Sequence, residues 1–189
     1  MCRIFNIVFI FLALPVFGQS KADLMADVLR TAKDYPDIAP VMGIIRRHEQ
    51  VFKYVPSICP IKEEYRVSDY FGYRIHPIRK IRQFHNGVDL AAAFAATIHA
   101  TAKGTVVFAG TMAGYGKTVI IRHQYGFKTQ YSHLTYIYCT VGREIEKGHV
   151  IGFVGSTGQS TGNHLHYEVI KNKKKINPLN FMLWNSGTN

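Results

Sequence analysis

No apolar run in this sequence reaches the ~20 residues that span a bilayer. The longest runs from Ile4 to Phe17, 14 residues broken only by Asn6 and Pro15. Acidic side chains are scarce, with 12 Asp and Glu against 23 Lys and Arg in 189 residues, a formal charge of +11. That imbalance favours an anionic partner: nucleic acid, a membrane surface or an acidic polymer. Internal repeats are absent. The sole low-complexity piece is Lys171-Asn-Lys-Lys-Lys175, which reads as a solvated hairpin turn. Cysteine is limited to three residues. The share of charged residues is 19% and of apolar residues 47%, ordinary globular usage that excludes wholesale disorder.

The short apolar run has a meaning of its own. Arg3 precedes it, and Val16 and Gly18 supply short residues before Gln19. Residues 1–18 therefore read as a secretory signal peptide, and the rest as an exported protein, which weakens a nucleic-acid reading of the charge. Export also leaves Cys59 and Cys139 where disulfides are permitted; spacing alone leaves a bridge and two free thiols equally open.

Residues 19–65 read as a helical N-terminal segment and linker. Ser20-x-x-Asp23 resembles a capping box, Leu24, Met25, Val28, Leu29 and Ala32 follow a helical period, and Tyr35-Pro36 is expected to stop that helix. A second, weaker helical stretch covers Val41–Tyr54. This segment holds seven basic and seven acidic residues, whereas 66–189 holds 15 and five. From Arg66 onward the pattern is short strands and glycine turns: Gly104–Gly110, Thr118–His123, Lys128–Leu134, Val150–Val154 and His164–Ile170. With no helical stretch between them, these strands pair antiparallel. The fold class is mainly β, a small antiparallel sheet domain over 66–189 behind a short helical segment.

Three histidine patterns invite chemistry. His85-Asn-Gly-Val-Asp89 places two metal-binding side chain types across a turn that enters a strand. His164-Leu-His166 sets two imidazoles on one face of a strand, with Glu168 continuing that face; a packing role and a ligand role both fit. His133 follows Tyr131-Ser132 in another strand. The metalloprotease motif H-E-x-x-H is absent, since His48-Glu49-Gln50-Val51-Phe52 ends in Phe.

Taken together, Asp69-Tyr-Phe-Gly-Tyr-Arg-Ile-His-Pro77, His85-Asn-Gly-Val-Asp-Leu-Ala91, Tyr131-Ser-His-Leu134, Gly155-Ser-Thr-Gly-Gln-Ser-Thr-Gly-Asn-His-Leu-His-Tyr-Glu-Val169 and Asn177-Pro178 closely resemble the blocks of the lysostaphin-like (LytM-type) zinc metallopeptidases, over about residues 66–182. One departure is Asn163, where the family often has proline. The resemblance implies the duplicated-hybrid-motif fold. It implies zinc ligands His85, Asp89 and His166, one ion per chain, and catalytic histidines His133 and His164. Two histidines and one carboxylate leave the fourth tetrahedral position for water. Arg74 and His76 belong to the first block and take a structural role. Peptidoglycan stem peptides are the implied substrate. The expected activity is a secreted metalloendopeptidase cutting peptidoglycan cross-links, periplasmic because little chain follows the catalytic region. Two alternatives stand beside it: a binding or hydrolase-activating module, and a latent enzyme whose cleft is occluded by residues 19–65.

Overall fold

The computed structural model describes residues 19–75 and 80–182. The signal-peptide reading of 1–18, and the role of His76, lie outside them. Helix α1 (Lys21–Thr31) starts at the expected capping box: the Ser20 hydroxyl accepts from the Asp23 N–H, and the Asp23 carboxylate accepts from the Ser20 N–H. Its inward stripe is Met25, Val28 and Leu29. Tyr35-Pro36 does not stop this helix but starts another, α2 (Tyr35–Ile38), capped by Asp34. Pro suits the first helical turn, where its missing N–H has no partner to lose. The stretch expected as one helix over 41–54 is broken into a 3₁₀ turn (Ala39–Val41), α3 (Met42–Arg46) and α4 (Glu49–Phe52). The break falls at His48, which leaves helical geometry.

Among the described residues twelve strands follow: β1 (Tyr65–Asp69), β2 (Gly72–Ile75), β3 (Arg82–His85), β4 (Val88–Ala92), β5 (Thr97–His99), β6 (Gly104–Met112), β7 (Gly116–Arg122), β8 (Phe127–Ile137), β9 (Glu144–Ile145), β10 (Val150–Val154), β11 (His164–Lys171) and β12 (Lys174–Ile176). Helix α5 (Leu179–Met182) closes the described chain. The main sheet runs β1-β4-β11-β8-β7-β6-β9, β10 joins β8 to β5, β12 pairs with β11, and β2-β3 form a separate hairpin. Every pairing is antiparallel, as the closely spaced strands require.

Leu165, Tyr167 and Val169 of β11 are fully buried, so the alternate residues His164, His166 and Glu168 share the opposite face. The helices belong to the same core as the sheet. Leu29, Ile38, Met42 and Ile45 are as buried as Phe127 and Phe181, and Tyr35 packs edge-on against Phe181 at 5.0 Å. Cys59 and Cys139 are both free thiols.

A buried polar chain crosses this core. His123 donates from Nδ1 to the Lys103 carbonyl (2.8 Å), so its Nε2 accepts from the Thr129 hydroxyl (2.8 Å). Thr129, Tyr131, Thr101 and Tyr167 continue it. Burial pushes the His123 imidazole down to about 4. The unfolded chain then takes up a proton near the reference ~6.5, while the folded chain resists until about 4. Stability is full above the unfolded value and falls as pH drops from ~6.5 to about 4, by about 3 kcal/mol from this residue. Urea titrations at pH 7 and pH 4.5 should show that loss. His123→Gln should reduce the total loss by this residue's share of about 3 kcal/mol; an equal loss in the variant would place the acid sensitivity elsewhere.

Candidate metal centre and catalytic cleft

Strand register builds the site. β11 lies between β4 and β8, which sets His166 opposite Asp89 on one side and Ser132 on the other. Asp89 is in turn opposite Asp69 of β1. His85 ends β3 and reaches the same point across the turn Asn86-Gly87. That turn packs hard on β11: a Cβ at Gly87 would stand 2.3 Å from the Tyr167 carbonyl oxygen, so only glycine fits.

The three side chains converge. His85 Nε2 is 3.0 Å from His166 Nδ1 and 3.2 Å from Asp89 Oδ1, and His166 Nδ1 is 2.8 Å from Asp89 Oδ1. Their outer partners fix the tautomers. His85 Nδ1 lies 2.9 Å from the Tyr70 carbonyl, which can only accept, so that nitrogen carries the proton. His166 Nε2 lies 3.1 Å from the carboxylate of fully buried Glu168 and carries its proton likewise. Each neutral ring therefore aims a lone pair at the other and at a carboxylate. Such an arrangement is repulsive until a cation enters. A tetrahedral ion ~2.0–2.1 Å from each donor separates them by roughly 3.3 Å, close to the observed triangle. The residues fit a zinc-type site with one position open, although no helix motif supplies it.

Glu168 thus touches a histidine of the triangle from behind. It also accepts from the Tyr115 hydroxyl at 3.3 Å and pairs with Lys175. The lysine run of 171–175 is accordingly more than a solvated turn. Asn172 and Lys173 form the turn itself, in left-handed geometry, but Lys171 is fully buried with its amine on the Tyr125 carbonyl at 2.7 Å.

His133 and His164 flank the triangle, their rings 4.7 Å apart, and His133 stands 6.0 Å from the His166 ring. His133 donates from Nδ1 to the Thr157 carbonyl (2.7 Å), and His164 donates from Nδ1 to the Gly162 carbonyl (2.8 Å). Both Nε2 atoms are left as bases, that of His164 lying 3.9 Å from Asp89 Oδ1. His133 sits on a β-bulge: Lys117 pairs with Leu134 and Val119 with Tyr131, so β8 holds one extra residue there. Its φ is 65° and its N–H donates to the Tyr115 carbonyl. Bulges re-aim side chains, and this one turns His133 out of the core into the cleft. Burial pushes its imidazole down to about 4.

The cleft comprises two adjoining hollows of about 250 and 330 Å³, both lined by His133. Arg74 pairs with Asp69 at their edge, in keeping with a structural role. Helical segment 19–62 lies elsewhere. Asn172 reaches the carbonyls of Arg30 and Ala32, and Lys174 pairs with Asp34 at 2.5 Å. These contacts are at the far end of β11, some five residues or ~17 Å from His166. Among the described residues none from 19–65 lines either hollow, so the occluded-cleft alternative has no contact to support it.

All five sequence-selected residues are thus brought together. Sequence reasoning missed Tyr115, Thr157 and Lys175. Thr157 acts through its main chain, which leaves no residue-type signal, and Lys175 reads as turn.

An antiparallel β domain with a His-Asp-His cluster beside two histidine bases defines a metallopeptidase-type site. A model of peptidase family M23 matches residues 83–178, and the chain belongs to that family. Among characterised proteins it is similar to DD-carboxypeptidase/endopeptidase Mpg of Neisseria meningitidis, 46% identical over 118 residues, which are 62% of this chain and 27% of that protein. It is also similar to peptidoglycan DD-endopeptidase ShyA of Vibrio cholerae, 34% identical over 121 residues, 64% and 28% of the two chains. The chain thus spans a little over a quarter of those relatives' length. Among solved structures, a zinc-containing peptidase from Vibrio cholerae aligns with TM-score 0.60 at 30% identity over 64% of this chain and 38% of that one. The catalytic domain of lysostaphin from Staphylococcus simulans aligns with TM-score 0.56 at 28% identity over 62% and 91%.

Proposed function

We propose that this peptidase is a zinc-dependent endopeptidase that hydrolyses the peptide cross-links of peptidoglycan, exported to the periplasm by residues 1–18. The observation that carries the reading is the triangle of two imidazole lone pairs and a carboxylate, 2.8–3.2 Å on a side, facing two further histidine bases. His85, Asp89 and His166 would hold the ion. Zinc there would supply a Lewis acid for the scissile carbonyl and make water a better nucleophile near neutral pH. The chain's own residues do the rest. His133 and His164, each with Nδ1–H tied to a main-chain carbonyl, present Nε2 to take the proton of the attacking water and deliver one to the leaving amine. Glu168 fixes the His166 ring from behind. The basic surface of 66–189 holds the protein near anionic envelope polymers. The name of ShyA supports the substrate class.

The test is to incubate the full chain with cross-linked peptidoglycan, with and without a zinc chelator, and read the muropeptides by mass spectrometry. Chelator-sensitive conversion of dimers to monomers is expected. A zinc-loaded protein that binds peptidoglycan without cutting it would replace this reading with the binding-module one.

A further inference from the structure

The register that builds the metal triangle also places an arginine. In β1, β4 and β11, Arg66, Ala91 and His164 stand opposite one another. Residues in such a row share a face of the sheet. Arg66 therefore lies beside the catalytic row, about 10 Å from His164 between Cα atoms at ~4.8 Å per strand. Between them Ala91 contributes only a methyl group. The row is a shallow trough with an imidazole at one wall and a guanidinium at the other, and Arg66, Asp89, His133 and His164 line one hollow of about 330 Å³. Two arginines enter that hollow. Arg74 is neutralised by Asp69. Arg66 is exposed and has no ion pair among the described residues. An exposed arginine is ordinarily a solvated charge; the register with His164 sets this one apart.

Resting on the peptidase reading above, we propose that Arg66 is the specificity residue for the free carboxylate on the amine side of the scissile bond. In a bond between D-alanine and a second D-centre, the residue whose nitrogen departs bears an α-carboxylate. That holds for a terminal D-alanine and equally for the D-centre of a cross-linking diamino acid. The carboxylate lies three bonds from the scissile carbonyl carbon. An arginine with a reach of roughly 6 Å covers the gap and matches a carboxylate with two parallel N–H donors. One residue then serves both the trimming of a stem peptide and the cutting of a cross-link. A glycyl-glycine bridge interior offers no such anion and is a poor substrate.

The test uses the full zinc-loaded chain and two cross-linked muropeptide dimers that differ only in whether the D-centre carboxylate is free or amidated. The wild-type protein should cut the free form about 10- to 100-fold faster by kcat/KM, the range of a charge-assisted bidentate contact. In Arg66→Met that ratio should fall to near one, with Arg66→Lys in between. Zinc content and melting temperature identify any variant that has lost its fold, and Arg66→Lys then decides. A wild-type protein that cuts both dimers alike, or an Arg66→Met that keeps the preference, overturns the inference and leaves the peptidase reading intact. A wild-type protein that cuts neither overturns both.

Discussion

Asp89→Asn should empty the metal site. After dialysis, zinc per chain is expected to fall from one in the wild type to near zero, and cleavage of cross-linked muropeptides to fall about a thousandfold or more. The reason is electrostatic. Asp89 is the sole anion of the triangle, and it stands 2.8 and 3.2 Å from the two imidazole donors. An amide keeps the shape and removes the charge that offsets a divalent ion. Losing the ion removes several kcal/mol of transition-state stabilisation, which is that thousandfold at 1.36 kcal/mol per decade. Atomic absorption and a muropeptide assay on one sample check both. A variant that retains one zinc and cuts within tenfold of wild type would exclude Asp89 as a ligand.

His133→Ala should separate metal binding from turnover. This ring touches the triangle from the side, 6.0 Å from the His166 ring, and its own Nδ1 is committed to Thr157. Zinc content should stay near one per chain while kcat falls about 10²- to 10⁴-fold, the usual contribution of a positioned acid or base. Parallel loss of zinc would move His133 into the ligand set. Backbone geometry adds a second readout. At φ 65° an alanine is strained and a glycine is not. His133→Gly should therefore be as inactive as His133→Ala but more stable by up to about 1 kcal/mol. Equal melting temperatures would mean that the bulge relaxes once the imidazole is gone.

Much of the site was visible in the chain before its fold. The i, i+2 spacing of His164 and His166 put both rings on one face, and burial of Leu165, Tyr167 and Val169 on the other face shows why. The Asn-Gly between His85 and Asp89 read as a turn into a strand, and it is one. Other features depend on neighbours that sequence does not reveal. The bulge at His133 arises from the pairing of β7 with β8, and no local pattern announces it. Tyr35-Pro36 reads as a stop until Asp34 is seen to cap a new helix. Lys175 looks like turn filler because its partner Glu168 is seven residues away on the adjoining strand. The basic charge of 66–189 gave no hint that Arg66 and Arg74, eight residues apart, differ in being unpaired and paired.

The lysine-rich turn between β11 and β12 has a consequence for how the chain can be cut down. Its Asn172 and Lys174 are gripped by Arg30, Ala32 and Asp34, while the neighbouring Lys175 holds Glu168, which holds His166. The N-terminal helices and the metal triangle are therefore two ends of one lever. Trimming the protein to the family-matched stretch would leave every ligand and base in place but free the handle by which the His166 strand is braced. A peptidase assembled from 83–178 alone would own the right tools with an unsteady grip.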